Sequence, residues 1–382
     1  MKQRIAVLTG TRAEYGYIKR ILELMKKSTK LQYFLIVSGM HFLKEHGLTV
    51  EEIKKDGFVI SATVDIKADP ENPADWAKSV GNSVIKMSDA FEKIKPDLIL
   101  LPGDPWMTFA AAVAATYMRI PIGHIQGGEI SGNVDGVVRH AITKLSHLHF
   151  VANKLAEEVV KKLGEEDFRI FNVGGPMLDE VVNGVKIDSK ILANELGYDF
   201  SKPLIIVLQH PVSIEYELAG KQMENTLNAI DDLKQQTVII YPNSEPGSKD
   251  MINIIDKYKN RRYIKIFKSL PRIKYLSLLN NASVLVGNSS SGIIEAPALR
   301  IPVVNVGNRQ NDRVRAENVI DVNYDEKEIL NSIKKALFDK SFRNKVMNCS
   351  SPYGDGKSSE GIVEILENTD LKKIPLQKKI TY

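Results

Sequence analysis

Short apolar runs alternate with amphipathic stretches along this chain, and the alternation predicts its architecture. In the first half the runs are RIAVLTG, YFLIVSG, FVISATVDI, DLILLPG, IPIGHIQGG and LHFVAN. Each is nearly continuous in apolar residues, as expected of strands buried on both faces, and the segments between them carry the helical period. Thr49 and Glu52 form a capping-box pattern at one helix start, and another helix fills the gap between Pro73 and Ile94. A second series begins near Phe168 with FRIFNVGG and continues through PLIIVLQHP, TVIIYPNS, IKIFKSL, ASVLVGNSS and IPVVNVG. The pattern predicts an α/β protein of two doubly wound parallel-sheet domains, with the boundary between about residues 165 and 185. We take residues 1–170 and 171–360 as the two domains, with 361–382 as a charged helix and basic, solvated tail. A chain of 382 residues, 43% of them hydrophobic, is indeed too long for one ordinary core.

Polar clusters fall where such sheets bind ligands, beyond the carboxyl ends of the strands. In chain order they are Thr9 to Glu14, Gly103 with Asp104, Gln126 to Glu129, Gln209 with His210, Asn243 with Glu245, Asn288 to Ser291, and Gly307 to Arg313. Two such domains facing each other would bring these clusters to one cleft.

Composition narrows the partners. A net charge of +5 from dispersed basic residues favours small anionic ligands mildly and demands neither nucleic acid nor membrane. The single cysteine, Cys349, excludes an internal disulfide and a thiolate metal cluster, which fits a reducing cytoplasm. The first apolar run is broken at once by Thr11, Arg12 and Glu14, and no apolar stretch approaches a membrane span, so a soluble intracellular protein is expected.

Candidate chemistry sits in five places. The loop TGTRAEYG lacks the glycine triplet of a dinucleotide fingerprint; its amides and Arg12 could hold a diphosphate, or Arg12 could simply pair with Glu14. Asp104, fixed before Pro105, could cap the following helix or do chemistry. In HIQGGEISGNVDGVVRHAITKLSHLHF, the side chains of Gln126 and Glu129 precede a helix on which Asp135 and Arg139 share a face. GNSSSGIIEAPALRIPVVNVG delivers Ser289 and Ser290 to a helix start, with Glu295 following: small residues admit a phosphate and the carboxylate suits a ribose diol, whereas plain capping with a solvated Glu295 is the simpler role. His210, between an apolar strand and Pro211, suits a phosphate contact or a proton carrier. His147 and His149 alternate on a strand without a nearby carboxylate or cysteine to complete a ligand set, so a structural role is expected and no metal.

Together GTRAEYG, the long central motif, QHPVS, YPNSEPGS, GNSSSGIIEAPALRIPVVNVG and the Arg309–Gln310 pair resemble the hydrolysing UDP-N-acetylglucosamine 2-epimerases of sialic and legionaminic acid biosynthesis. The resemblance implies a GT-B-like pair of Rossmann-like domains, with the nucleotide held mainly by the second. It also implies a UDP-sugar or related nucleotide-sugar substrate, no metal or nicotinamide cofactor, and a homodimer or homotetramer. The implied reaction breaks the bond between carbon 1 and the nucleoside diphosphate, removes the proton at carbon 2, and adds water to the resulting glycal. Carried over position by position, Asp104 and Asp135 match acid/base positions, Arg139 an active-site arginine, and His210 the histidine near the phosphates. Arg12, Asn243, Ser289, Ser290, Glu295 and Arg309 match nucleotide-binding positions.

Four departures stand out. Gln126 lies where many relatives carry glutamate, and an amide cannot act as a base, so the proton work falls on Asp104, Glu129 or Asp135. Pro105 and Trp106 follow Asp104 where relatives often have an arginine. Glu245 replaces a usual aspartate, and NRQND replaces a more glycine-bearing loop. The competing expectations are a non-hydrolysing epimerase, which keeps the sugar activated, a glycosyltransferase on the same architecture, and a non-catalytic nucleotide-sugar sensor.

Overall fold

The computed structural model describes residues 2–42, 48–66, 73–130, 134–242 and 246–381, with the side chains at 12, 13, 40, 73, 134, 135, 213 and 214 outside that description. The chain forms two compact units, one of Met1–Glu180 with Tyr353–Tyr382, the other of Val181–Pro352. The first contains β1 (Gln3–Thr9), α1 (Arg12–Lys27), β2 (Leu31–Ser38), α2 (Val50–Lys55), β3 (Ile60–Val64), α3 (Pro73–Ile94) and β4 (Leu98–Pro102). It continues through α4 (Trp106–Tyr117), β5 (Ile122–Ile125), α5 (Val134–Leu145), β6 (Leu148–Val151), α6 (Lys154–Lys162), β7 (Ile170–Asn172) and the start of α7 (Met177–Asn183). Among the described residues its sheet has seven strands in the order β3-β2-β1-β4-β5-β6-β7, all pairings parallel. The continuous apolar strands are explained by burial on both faces. On β1, Ile5 and Val7 pack into one core with Ile18, Ile21 and Leu22 of α1, while Ala6 and Leu8 pack into another with Met87, Phe91 and Ala111 of α3 and α4.

The second unit carries α8 (Ser189–Leu196), β8 (Leu204–Val207), α9 (Ala219–Leu233), β9 (Gln236–Ile240), α10 (Ser248–Asp256), β10 (Ile264–Phe267) and α11 (Arg272–Asn280). After these come β11 (Val284–Gly287), α12 (Ser290–Ile294), β12 (Val303–Val306), β13 (Val319–Val322), α13 (Glu326–Phe338) and α14 (Lys340–Asn348). Its sheet runs β10-β9-β8-β11-β12-β13, again parallel. Both sheets are doubly wound: the chain winds outward from the first strand, then returns to its other side. The reversal leaves the loops after β1 and β4, and after β8 and β11, side by side, the place where open sheets take ligands. Among the described residues no helix is long and apolar enough to cross a membrane.

Three sequence expectations need correction, and one strand was missed. FRIFNVGG opens no second series: β7 lies at the edge of the first sheet, paired with β6. β13, with half-exposed Val319 and Ile320, shows too little apolar contrast to stand out in the sequence. Thr49 makes no side-chain cap to α2; its hydroxyl lies 2.6 Å from Nδ1 of buried His41, which competes successfully for it. Finally, residues 361–382 are no solvated tail. Helix α15 (Ser358–Asn368) places Ile362, Val363 and Leu366 in the same core as Ile5 and Ile18, and Leu371 and Ile374 follow them there. Lys378 then reaches the carboxylate of Glu165, both oxygens within 2.9 Å, and the carbonyls of Lys144 and Ser146 at the end of α5. Burial would raise the Glu165 carboxyl, but bonds from His149, Lys144 and Lys378 outweigh it and hold it down at about 2.

At the reversal point of the first sheet, Glu14 braces two loops. Its carboxylate accepts from Gly10 N at 2.8 Å and from Thr108 Oγ1 at 3.0 Å, so the loop after β1 is tied to the first turn of α4. Glu14 is therefore buried rather than at the surface. Burial pushes its carboxyl from 4.5 up to about 7 despite those hydrogen bonds.

Two outcomes are expected. Lys378→Met leaves a buried carboxylate short of a cation and should lower stability by about 2 kcal/mol or more, measured as a fall in the urea midpoint of the first unit; an unchanged midpoint would reduce the C-terminal contact to decoration. Because the folded carboxyl of Glu14 titrates above its unfolded value, its protonation supports the fold fully below about 4.5 and loses that support as pH rises through about 7. Glu14→Gln should erase this slope, so that its stability relative to the parent rises between those pH values by up to roughly 3 kcal/mol. A variant that keeps the parent's slope in urea titrations at several pH values would assign the slope elsewhere.

Candidate active site

In the first unit the structure brings Asp104, Glu129 and Arg139 together. Asp104 follows Gly103, whose φ of +60° turns the chain away from β4, and precedes Pro105, the N-cap of α4. Its carboxylate is ion-paired with the Arg139 guanidinium, with the two side chains 18% and 8% exposed. Arg139 sits in mid-α5 because its neighbours Val138 and Ile142 turn that face of the helix to the core. Its Nη1 also donates to the carbonyl of Glu129 at 2.8 Å, so the guanidinium holds the backbone of Glu129 as well as Asp104.

Gln126 ends β5 in a left-handed conformation, φ +63°, at a cost of about 1–2 kcal/mol for a residue with a side chain. Its amide is buried and its Nε2 lies 3.5 Å from the Met177 sulfur, a weak acceptor that supplies no charge. The backbone of Asp135 lies in the first turn of α5; its side chain, like that of Arg12, is outside the described residues.

In the second unit the loops after β8 and β11 are joined by an amide. Asn288 Oδ1 accepts from His210 N at 2.7 Å, and Asn288 Nδ2 donates to His210 O at 2.9 Å. The approach needs glycine at 287: φ is +126°, and a Cβ there would meet the Leu208 carbonyl oxygen at 2.3 Å. The carbonyl of Asn288 in turn accepts from Gln310 Nε2 at 2.8 Å and from Arg309 Nη1 at 3.4 Å, placing the loop after β12 beside the other two. Burial, helped by Arg309, lowers the His210 imidazole to about 3, so it rests neutral; an anion brought against it would favour its charged form.

Ser289 is the N-cap of the short α12, its hydroxyl accepting from Ser291 N at 3.3 Å, and Ser290 is the first helical residue. Glu295 is not solvated. It is buried, accepts from Ser291 Oγ at 2.5 Å and pairs with Arg272 Nη2 at 2.5 Å, and the Ser291 hydroxyl also meets Tyr275 OH at 2.5 Å. A ribose diol approaching Glu295 therefore meets a carboxylate already engaged by Arg272. Asn243 and Glu245 lie outside the described residues.

The sequence thus located the loops better than the partners. Glu14, Asn288, Gln310, Arg272 and Tyr275 were not singled out as site residues. Asn288 and Gln310 stood inside flagged motifs, whereas Arg272 and Tyr275 carry no local signal, since only packing of α11 against α12 brings them to Glu295. Among the described residues no cluster of histidine, cysteine, aspartate and glutamate has the arrangement of a metal site.

Comparison with known proteins identifies the family. The family model described as UDP-N-acetylglucosamine 2-epimerase matches residues 23–367. The UDP-N,N'-diacetylbacillosamine 2-epimerase (hydrolyzing) of Legionella pneumophila is 37% identical over 380 residues, covering 100% of this chain and 98% of that protein. The GDP/UDP-N,N'-diacetylbacillosamine 2-epimerase (hydrolyzing) of Campylobacter jejuni is 33% identical over 324 residues, 84% of each chain. The fold is shared with the crystal structure of the UDP-GlcNAc 2-epimerase of Neisseria meningitidis bound to UDP-GlcNAc, with a TM-score of 0.82 at 20% identity, covering 96% of this chain and 100% of that one. By the match over nine-tenths of its length and by relatives above 30% identity, the chain belongs to the UDP-N-acetylglucosamine 2-epimerase family.

Proposed function

We propose that this enzyme is a hydrolysing nucleotide-sugar 2-epimerase whose preferred substrate is UDP-N,N'-diacetylbacillosamine. The chemistry is an elimination followed by a hydration. The bond from carbon 1 to the diphosphate breaks as the proton at carbon 2 is removed, giving a glycal and a free nucleoside diphosphate. Water then adds across the double bond, its hydroxyl to carbon 1 and a proton to carbon 2 from the opposite face.

The observation that carries the reading is the Asp104–Arg139 ion pair at the end of β4. It holds one carboxylate oriented at the position assigned to proton transfer, while Gln126 at the end of the neighbouring strand cannot ionise. We assign Asp104 the proton at carbon 2, Asp135 or Glu129 the protonation that follows, and Arg139 the orientation of Asp104 and the Glu129 loop. Arg12, His210, Ser289, Ser290 and Arg309 are assigned to the phosphates, where amides and cations stabilise the departing charge. Asn243, Glu245 and Glu295 are assigned to the nucleoside and sugar rim. The choice of sugar rests on the two diacetylbacillosamine 2-epimerases, to which the chain is similar over most or all of its length. The same reading has the enzyme act in the cytoplasm as a homodimer or homotetramer, supplying a free 2-acetamido sugar for sialic- or legionaminic-type acids.

Incubation in heavy water with UDP-N,N'-diacetylbacillosamine, its GDP counterpart and UDP-N-acetylglucosamine tests the proposal. We expect released nucleoside diphosphate, a free sugar deuterated at carbon 2, and a kcat/KM at least about tenfold higher for the first substrate than for UDP-N-acetylglucosamine. Preference for UDP-N-acetylglucosamine would replace the substrate, and an epimerised product still carrying its nucleotide would replace the hydrolytic reading.

A further inference from the structure

His124 belongs to none of the roles above, yet it touches the supports of both members of the Asp104–Arg139 pair. It lies near the end of β5 with no solvent exposure. Its Nε2 is 2.8 Å from the carbonyl oxygen of Gly103, the residue before Asp104. Its Nδ1 is 3.2 Å from Thr143 Oγ1, and that hydroxyl lies 3.0 Å from the carbonyl of Arg139, one helical turn back on α5. A carbonyl can only accept, so Nε2 carries the proton and Nδ1 accepts from Thr143, whose single hydroxyl proton is shared with Arg139 O. Burial first, then the neighbouring His149, Arg139 and His140, push the imidazole down to about 3, which keeps it in this neutral form across the working pH range.

We propose that His124 is a positioning residue that sets the Asp104 carboxylate against Arg139 by fixing the Gly103–Asp104 peptide plane on one side and α5 on the other. The Gly103 carbonyl and the Asp104 nitrogen belong to one rigid plane, so holding the oxygen fixes the direction in which Asp104 leaves. Gly103 itself has little side-chain packing to hold it: its φ is +60° and a Cβ there would meet only Pro105 Cδ at 3.7 Å, so its nitrogen is held by Ile125 O at 3.0 Å and its carbonyl by His124. The loop after β5 is also shaped to leave the clamp intact. At Gly127 a Cβ would meet His124 Nδ1 at 2.8 Å and Thr143 Oγ1 at 2.9 Å, so any larger residue would force the two apart. The glycine following Gln126 is required by this contact and not by an unusual φ.

The activity arm of the test rests on the epimerase reading; the structural arm does not. His124→Phe keeps the ring and removes both nitrogens, His124→Gln restores a donor near Nε2, and His124→Asn restores only a group near Nδ1. With a substrate that the parent turns over, His124→Phe should lower kcat by about tenfold to a hundredfold with KM within about twofold, because misplacement near the chemistry costs rate rather than affinity. His124→Gln should recover most of kcat and His124→Asn should not. In the crystal structure of His124→Phe, or of His124→Asn should the former not fold, the Gly103–Asp104 peptide should be rotated and the Asp104–Arg139 ion pair broken, with UDP affinity retained by calorimetry. An intact Asp104–Arg139 ion pair in that variant, or equal losses of kcat in the Gln and Asn variants, would overturn the proposal. Should the parent turn over none of the three nucleotide sugars, the functional reading fails and the crystallographic comparison still decides the role of His124.

Discussion

A parallel sheet that winds both ways from its first strand must leave two neighbouring loops forked at the reversal, and both units of this enzyme are organised around that constraint. No crossover helix covers the fork, so the amides and carbonyls there need partners from side chains. In the first unit Glu14 spans the fork, gathering Gly10 and Thr108. In the second, Asn288 does so with both ends of its amide on the His210 backbone. Each brace leaves the loop tips themselves, with Arg12 and Asp104 in one case and His210 and Ser289 in the other, presented beyond the strands.

Electrostatics at these tips is settled largely within the protein. Arg139 is committed to Asp104 and the Glu129 carbonyl, Glu295 to Arg272 and Ser291, and His210 rests neutral beside Arg309. Buried charges of this kind are tolerable only when paired and hydrogen-bonded. In the proposed elimination such an arrangement would have a use: donors already oriented when the charge of the diphosphate develops need little reorganisation. At the end of β5 the Gln126 amide makes only a weak contact with the Met177 sulfur and brings no charge that would need a partner of its own.

The C-terminal segment shows how far local sequence can mislead. LKKIPLQKKITY reads as a basic tail, yet Leu371 and Ile374 are buried and Lys378 closes on Glu165, a residue that nothing in its own surroundings marks as an acceptor. The partner is more than two hundred positions away, and long-range ion pairs leave no periodicity. The capping pattern at Thr49 failed for a related reason: a buried imidazole, itself isolated from water, outcompeted the helix for one hydroxyl.

Periodicity and strand-end chemistry by themselves determined the α/β class, all but one of the described strands, and the loops that carry Asp104, Gln126, His210, Ser289 and Arg309, because apolar runs and turn residues act within a few positions of one another. Tertiary structure alone decided the rest. That Asp104 meets Arg139, that Glu295 is engaged by Arg272, that β7 and α15 belong to the first unit, and that His124 touches both the Gly103 carbonyl and Thr143 are outcomes of helices packing on a particular sheet order. Such contacts are set by which surfaces meet, and residues far apart in the chain carry no local signal of where they will lie.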